Sequence, residues 1–265
     1  MIRVGVIGAL GKMGRFVCRA VAEDPELNLV GAIDRTRDGD QIGPIIANNK
    51  VDVVVSSQLE ILLQAETEVA VDFTRPDEVM ANVRWAVDHG IHLVVGTTGI
   101  GEAELEQIRR WLDDEGGASN VILASNFSIG AVIAQRFAAE AAKHFPAVEI
   151  IEMHQDQKAD APSGTAIATA GKIAKARDET WTGPDTESAP GARGGEVDGI
   201  RVHSVRLPGL VAHQEVIFGG PGQVLTIRHD ALDRSTYMPG VLLAIKQVAS
   251  RPGITVGIEP LLGFE

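Results

Sequence analysis

The chain has 265 residues, with 36 Asp and Glu against 24 Lys and Arg, a formal net charge of −12 at neutral pH. That excess repels polyphosphate backbones and anionic membranes, so neither nucleic acid nor a membrane is expected as the main partner. One cysteine, Cys18, rules out an internal disulfide, and the absence of a signal-peptide pattern or an 18-residue apolar run points to a reducing cytoplasm.

The first half alternates strand and helix. Arg3 to Ile7 reads as a short apolar strand, Lys12 to Glu23 as a helix, Leu27 to Ile33, Asp52 to Val55 and Val69 to Phe73 as strands. A helix over Asp77 to His89, a strand over His92 to Val95, a helix over Glu102 to Asp114 and a strand over Val121 to Ala124 continue the pattern. Nearly continuous β-branched strands separated by helices imply a parallel sheet covered on both faces, an α/β fold of Rossmann type. Helix Ile129 to His144 leads into a strand over Val148 to Met153. After helix Thr165 to Ala176 the stretch Asp178 to Gly199 is too polar to pack and reads as an exposed loop. Arg201 to Leu207, His213 to Phe218 and Val224 to Arg228 then read as strands with no helix between them, which suggests an antiparallel sheet in a second, α+β domain. Helix Met238 to Ser250 and strand Ile254 to Ile258 resemble the βα units of the first half and are expected to return to it.

The first predicted strand ends in Gly8-Ala9-Leu10-Gly11-Lys12-Met13-Gly14, a GxxGxxG loop that opens a helix. Glycines there permit a tight turn and close approach of a pyrophosphate to the main chain. Asp34, at the end of the second strand, stands where a carboxylate would hold the adenosine ribose hydroxyls, so the context favours a dinucleotide. A carboxylate suits NAD and the neighbouring Arg35 suits the extra phosphate of NADP, so both are expected to be tolerated. Asp72-Phe73-Thr74, Gly96-Thr97-Thr98-Gly99 and Ala124-Ser125-Asn126-Phe127-Ser128 also follow strands, where ligands collect in open α/β sheets.

The densest chemistry lies between Glu152 and Ala166. A helix starting at Ser163 leaves its first amides, near Gly164 and Thr165, without intrahelical acceptors, a favourable place for an anion. Lys158 adds a positive charge on the same loop, and His154 is the side chain whose ordinary pKa suits a proton donor near neutrality. Taken singly, Ser163 is only a cap, His154 a strand-end histidine and Lys158 a solvated charge. Together on one loop they favour a site for a carboxylate or phosphate.

These segments, and above all Lys158-Ala159-Asp160-Ala161-Pro162-Ser163-Gly164-Thr165-Ala166, make the chain resemble the 4-hydroxy-tetrahydrodipicolinate reductase (dihydrodipicolinate reductase) family of the diaminopimelate route to lysine. The resemblance runs from the first strand to the last. It implies a dinucleotide-binding domain over residues 1–125, completed by 236–265, and a substrate-binding and tetramerisation domain over 126–235. It also implies hinges near Ser125 to Ser128 and Asp233 to Tyr237 that close during turnover, and a homotetramer built from the second-domain sheets. By the same resemblance His154 and Lys158 are catalytic, and Gln155, Ser163, Gly164 and Thr165 bind a small dicarboxylate. Gly8, Ala9, Leu10, Gly11, Lys12, Met13, Asp34, Arg35, Phe73, Gly96, Thr97, Thr98, Ala124, Ser125, Asn126 and Phe127 contact NADH or NADPH, and no metal is implied. One position departs from the family pattern: Gln155 stands where a second histidine is usual. Glutamine keeps a donor and an acceptor but carries no charge, so weaker substrate affinity is expected. The rivals are another Rossmann-type oxidoreductase acting on an aspartate-derived semialdehyde or amino acid, and a nucleotide sensor without catalysis.

Overall fold

The computed structural model describes residues 1–177, 181, 183 and 186–264, so part of the polar stretch 178–199 lies outside the described residues. The chain divides into two compact units, Met1–Ser128 with Tyr237–Glu265, and Ile129–Thr236.

In the first unit the elements run β1 (Ile2–Ile7), α1 (Gly14–Glu23), β2 (Leu27–Ile33), α2 (Ile42–Ile45), β3 (Val55–Ser56), α3 (Ile61–Gln64), β4 (Val69–Asp72), α4 (Pro76–Asp88), β5 (His92–Val95), α5 (Glu102–Asp114) and β6 (Val121–Leu123). The seven strands, including β12 (Ile254–Val256) from the C-terminal segment, form one sheet in the order β12-β6-β5-β4-β1-β2-β3. Every pairing in it is parallel. Val4, Val6, Ala70, Val71, Leu93, Val94 and Val95 are fully buried on consecutive or alternate positions, as strands covered on both faces require. Of the expected strand Asp52 to Val55 only Val55 joins the sheet, together with Ser56. The Ile42 amide is spent on the Val53 carbonyl and the Val55 amide on Asp40, so that run folds back on the 40–42 segment instead. Cys18 lies wholly buried in α1, and burial pushes its thiol up to about 12, which makes it a packing residue.

The second unit contains α6 (Ile129–Ala142), β7 (Ala147–His154), α7 (Gly164–Lys175), β8 (Gly195–Val197), β9 (Ile200–Arg206), β10 (Ala212–Gly220) and β11 (Gln223–Ala231). Its sheet order is β11-β10-β7-β9-β8. The sheet is mainly antiparallel, as expected, with one parallel pairing. β9 pairs with β7 in parallel, while β10 lies on the other side of β7, antiparallel to it and to β11. The reason is the helix between them: β7 reaches β9 through the crossover that contains α7, and a crossover delivers a parallel strand. Val148, Ile150, Val202, Val216 and Phe218 pack with Ala138, Ala142, Ala166, Ala170 and Ile173 from the two helices. After β11, a 3-10 turn (Arg234–Tyr237) leads into α8 (Met238–Gln247), whose Gly240 closes on the Phe127 carbonyl; a Cβ there would lie 2.0 Å from that oxygen.

Candidate active site

In the first unit the glycine loop is built around backbone contacts. Gly8 has φ +80°, a conformation few other residues adopt, and an added Cβ at Gly14 would lie 2.0 Å from the Gly8 oxygen. The Gly8 and Ala9 amides donate to the Ile33 carbonyl at 2.8 and 3.0 Å, pinning the loop to the end of β2. Ala9 and Leu10 turn their side chains into the core, at 0% and 7% exposure, so at these two positions the loop offers a ligand only its main chain. α1 begins immediately after it, at Gly14, with the Arg15 amide turned back onto the Gly11 carbonyl at 3.2 Å. Asp34 accepts from the Leu10 amide at 2.9 Å through one oxygen, and from the Thr36 amide and hydroxyl at 3.0 and 2.8 Å through the other. Oδ1 is filled by its two bonds, while Oδ2, which accepts only from Leu10, keeps a lone pair for a ribose hydroxyl. A cradle that any Cβ would fill, a helix head and a carboxylate so placed fit a dinucleotide.

The other loops of this unit divide into packing and exposed positions. Asp72, fully buried, accepts from the Thr74 amide and hydroxyl, the Thr97 hydroxyl at 2.7 Å and the Asn82 amide nitrogen at 2.8 Å. The Thr97 hydroxyl proton is thereby committed inward, leaving its backbone for a ligand. Phe127 is 2% exposed, with its ring centroid 6.0 Å from that of Phe73. Lys12, Arg35, Thr98 and Ser125 are exposed, Met13, Gly96 and Asn126 partly so, and Ala124 is buried.

In the second unit the site is built from side chains. β7 alternates, with Val148, Ile150 and Glu152 pointing toward the helices, so a carboxylate occupies a core position at 0% exposure. An ionised carboxylate there is costly unless fully paired. Arg206, at the end of β9, meets it in a two-pronged pair at 2.7 and 2.9 Å, and the Ser163 amide donates to it at 3.2 Å. His154 Nδ1 lies 2.5 Å from its other oxygen. One buried carboxylate therefore holds the imidazole, the head of α7 and the end of β9 together. Ser163, in an extended conformation, caps α7 by accepting from the Ala166 amide at 3.2 Å. An added Cβ at exposed Gly164 would meet nothing within 4 Å, so no packing demand explains that glycine and the approach to the first helical turn is open. Lys158 extends to Asp160, donating to both carboxylate oxygens at 2.6 and 2.8 Å.

Burial pushes the Glu152 carboxyl up, but hydrogen bonds from Arg206, Ser204 and His154 outweigh it and hold the group below the usual carboxylate range. For His154 the balance runs the other way. Burial lowers its pKa, Lys158 and Arg206 add to the lowering, and the contact with Glu152 only partly offsets them. The resting ring is neutral. Because an ionised carboxylate can only accept, Nδ1 carries the proton and Nε2 presents a lone pair.

The structure thus gathers His154, Lys158, Ser163, Gly164 and Thr165 on one loop and helix start, with Gln155 exposed beside them. Sequence reasoning missed Glu152 and Arg206 as working residues. The available signal was parity, since Glu152 falls in step with Val148 and Ile150. Among the described residues no cluster of His, Cys, Asp and Glu could hold a metal, and no helix is long and apolar enough to cross a membrane.

A glycine-loop parallel sheet joined in one chain to a mixed-sheet unit carrying an acid, an imidazole and a lysine defines a dinucleotide-dependent oxidoreductase of Rossmann type. Residues 2–127 match the family description "Dihydrodipicolinate reductase, N-terminus" and residues 130–262 match "Dihydrodipicolinate reductase, C-terminus". The 4-hydroxy-tetrahydrodipicolinate reductase of Nocardia farcinica is 51% identical over 265 residues, covering 98% of each chain, and that of Mycolicibacterium vanbaalenii is 49% identical over the full length of both. The dipicolinate-bound dihydrodipicolinate reductase of Paenisporosarcina sp. TG-14 superimposes with a TM-score of 0.85 at 39% identity, over 98% of this chain and 99% of that one. The chain belongs to the dihydrodipicolinate reductase family.

Proposed function

We propose that this protein reduces 4-hydroxy-tetrahydrodipicolinate to tetrahydrodipicolinate with NADH or NADPH, in the diaminopimelate route to lysine, as a cytoplasmic homotetramer. The observation that carries the reading is the buried Glu152 carboxylate, which ties a proton-carrying imidazole to the open head of a helix beside a lysine. The substrate is a cyclic imine with two carboxylates and a ring hydroxyl; the hydroxyl leaves as water, and the hydride and one proton reduce the double bond that its loss creates. The Gly164 and Thr165 amides and the Lys158 ammonium are the groups that would hold those carboxylates, with Gln155 adding a neutral hydrogen bond. Lys158 must exchange Asp160 for the substrate, or share itself between them.

In the first unit Gly8 to Met13, Asp34, Arg35, Phe73, Gly96 to Thr98 and Ala124 to Phe127 would hold the cofactor, which supplies a hydride when bound. His154 does the proton work. A dianion beside the ring raises its pKa, so substrate binding loads a proton onto Nε2, and the imidazolium returns that proton to the electron-rich ring once the hydride has arrived. Glu152 remains ionised throughout, orients the ring and stabilises its charged form. The helix-free face of the second sheet carries Ile151, Met153 and Ile217 among polar neighbours, and Val224 stands 70% exposed on the edge strand, a surface suited to packing between copies.

The test is a coupled assay in which the pathway synthase generates the substrate in the presence of NADH or NADPH. Oxidation of either cofactor by the native chain, lost in His154→Ala, is expected. No oxidation with the pathway substrate, together with turnover of an aspartate-derived semialdehyde, would sink the proposal.

A further inference from the structure

We infer that Glu78 is a specificity-determining residue that biases this protein toward NADH, by occupying the two guanidiniums that would otherwise receive the extra phosphate of NADPH. The inference rests on the dinucleotide reading of the first unit.

Arg35 follows Asp34 at the end of β2 and Arg75 lies just before α4, at the end of the β4 loop; the chain brings both to a single oxygen of Glu78. Arg35 Nη1 lies 2.8 Å from Glu78 Oε1, and Arg75 reaches the same atom through Nε at 3.2 Å and again through Nη2. The acid is the inner member of the trio, its side chain 15% exposed, and the arginines fold over it at 71% and 67%. Glu78 stands in the first turn of α4, where any carboxylate is favoured by the helix dipole. That role does not explain the convergence. Asp77 already supplies an acid to the same turn, lies exposed and comes no nearer to Arg75 than 3.7 Å.

The consequence follows from what distinguishes the two cofactors. NADH offers ribose hydroxyls, which Asp34 can accept, whereas NADPH carries a dianionic phosphate on one of them. Guanidiniums beside that carboxylate are the natural phosphate partners, because a planar fork matches the oxygens two at a time. Here one nitrogen of Arg35 and two of Arg75 already meet Glu78. Surface pairs of this kind are weak, so the phosphate can displace Glu78, but the displaced carboxylate stays beside it as a like charge. Asp77, 3.7 Å from Arg75, adds a further carboxylate beside the same guanidinium. NADPH is accepted at a penalty that NADH does not meet.

The test is direct binding, followed by tryptophan fluorescence or calorimetry, of NADH and NADPH to the native chain, to Glu78→Gln and to Glu78→Gln/Arg35→Met. Glutamine keeps the size and removes the charge at a position that is not buried, and matching thermal melts check the fold. Expected is a gain of about tenfold in NADPH affinity for Glu78→Gln, with NADH changed less than twofold, and loss of that gain when Arg35 is also replaced. The gain should shrink at high salt. An unchanged NADPH-to-NADH ratio, or equal tightening of both cofactors, overturns the assignment. Failure of the native chain to bind either cofactor removes the dinucleotide reading itself, a result plainly different from binding with an unmoved ratio.

Discussion

The two ligand-facing regions are built on opposite principles. At the glycine loop of the first unit the Ala9 and Leu10 side chains withdraw into the core, and the proposed grip on the cofactor combines main-chain amides and the Asp34 carboxylate with charges at the rim, Lys12 and Arg35. At the loop between β7 and α7 the main chain contributes only a helix head, and the work falls to Glu152, His154, Lys158 and Arg206. The difference is one of chemistry. A cofactor that is only gripped can be held by geometry, whereas a substrate that must gain a proton needs titratable groups whose pKa values the protein sets. Disturbing the first region should change affinity, and disturbing the second should change rate and pH dependence.

The largest expected effect lies in the second region. His154→Ala removes the proposed proton donor and should lower kcat by about a thousandfold, the usual scale for general acid catalysis, while NADH affinity stays within twofold. Single-turnover and binding measurements on the variant check both halves. Undiminished turnover would end the assignment of the imidazole.

Next comes the corresponding blow to the first region. Gly14→Ala places a methyl carbon 2.0 Å from the Gly8 oxygen, so the loop has to shift. Overpacking of this kind costs about 1–3 kcal/mol, and here it should appear as roughly tenfold or greater weakening of NADH binding. The pH dependence of kcat at saturating cofactor should not move. A shift in that profile would show that the two regions are not separable in this way.

The pH behaviour itself separates free protein from complex. The free ring's pKa is lowered below its ordinary 6.5, chiefly by burial, so protonated His154 is lost early as pH rises. A bound dianion raises that pKa. The alkaline limb of kcat is therefore expected at higher pH than the limb of kcat/KM. Glu152→Gln withdraws the group that favours the charged ring, so it should move the kcat limb to lower pH and reduce kcat about tenfold at neutral pH. A pH-rate series on both proteins checks this, and coincident limbs in the native enzyme would contradict proton loading by substrate.

The same contrast explains what could be read from the amino-acid sequence. The glycine loop was legible because close backbone approach leaves only one residue type possible at Gly8 and Gly14, and the spacing to Asp34 follows from the βαβ unit. The alternation of strand and helix in the first unit was legible for a related reason, since doubly covered strands are apolar throughout. The Glu152 to Arg206 pair was not, because its members lie 54 residues apart on strands that become neighbours only through the parallel crossover. Local pattern tells which face of a strand is buried but not which strand lies beside it. The parallel pairing of β9 with β7 was hidden on those grounds, and the partner of the buried carboxylate with it. Short α2 and α3 escaped because four residues carry no helical period.

The smallest expected effect concerns the one position that departs from the family pattern. Gln155 is exposed beside His154, and its amide can donate a hydrogen bond to a substrate carboxylate without adding charge. Gln155→His would supply a group that can carry a proton near the bound dianion, where the charged form is favoured. Such a hydrogen bond gains about 1 kcal/mol over a neutral one, so KM should fall about fivefold at pH 6.5, with a smaller gain at pH 8 as the ring deprotonates. Because the added charge also lies close to His154, it should lower that ring's pKa slightly and draw the kcat limb toward acid. A lower KM without any movement of the limb would mean that the new side chain reaches the substrate but not the field around His154. An unchanged or raised KM would mean that the substrate carboxylates are held by Lys158 and the head of α7 alone.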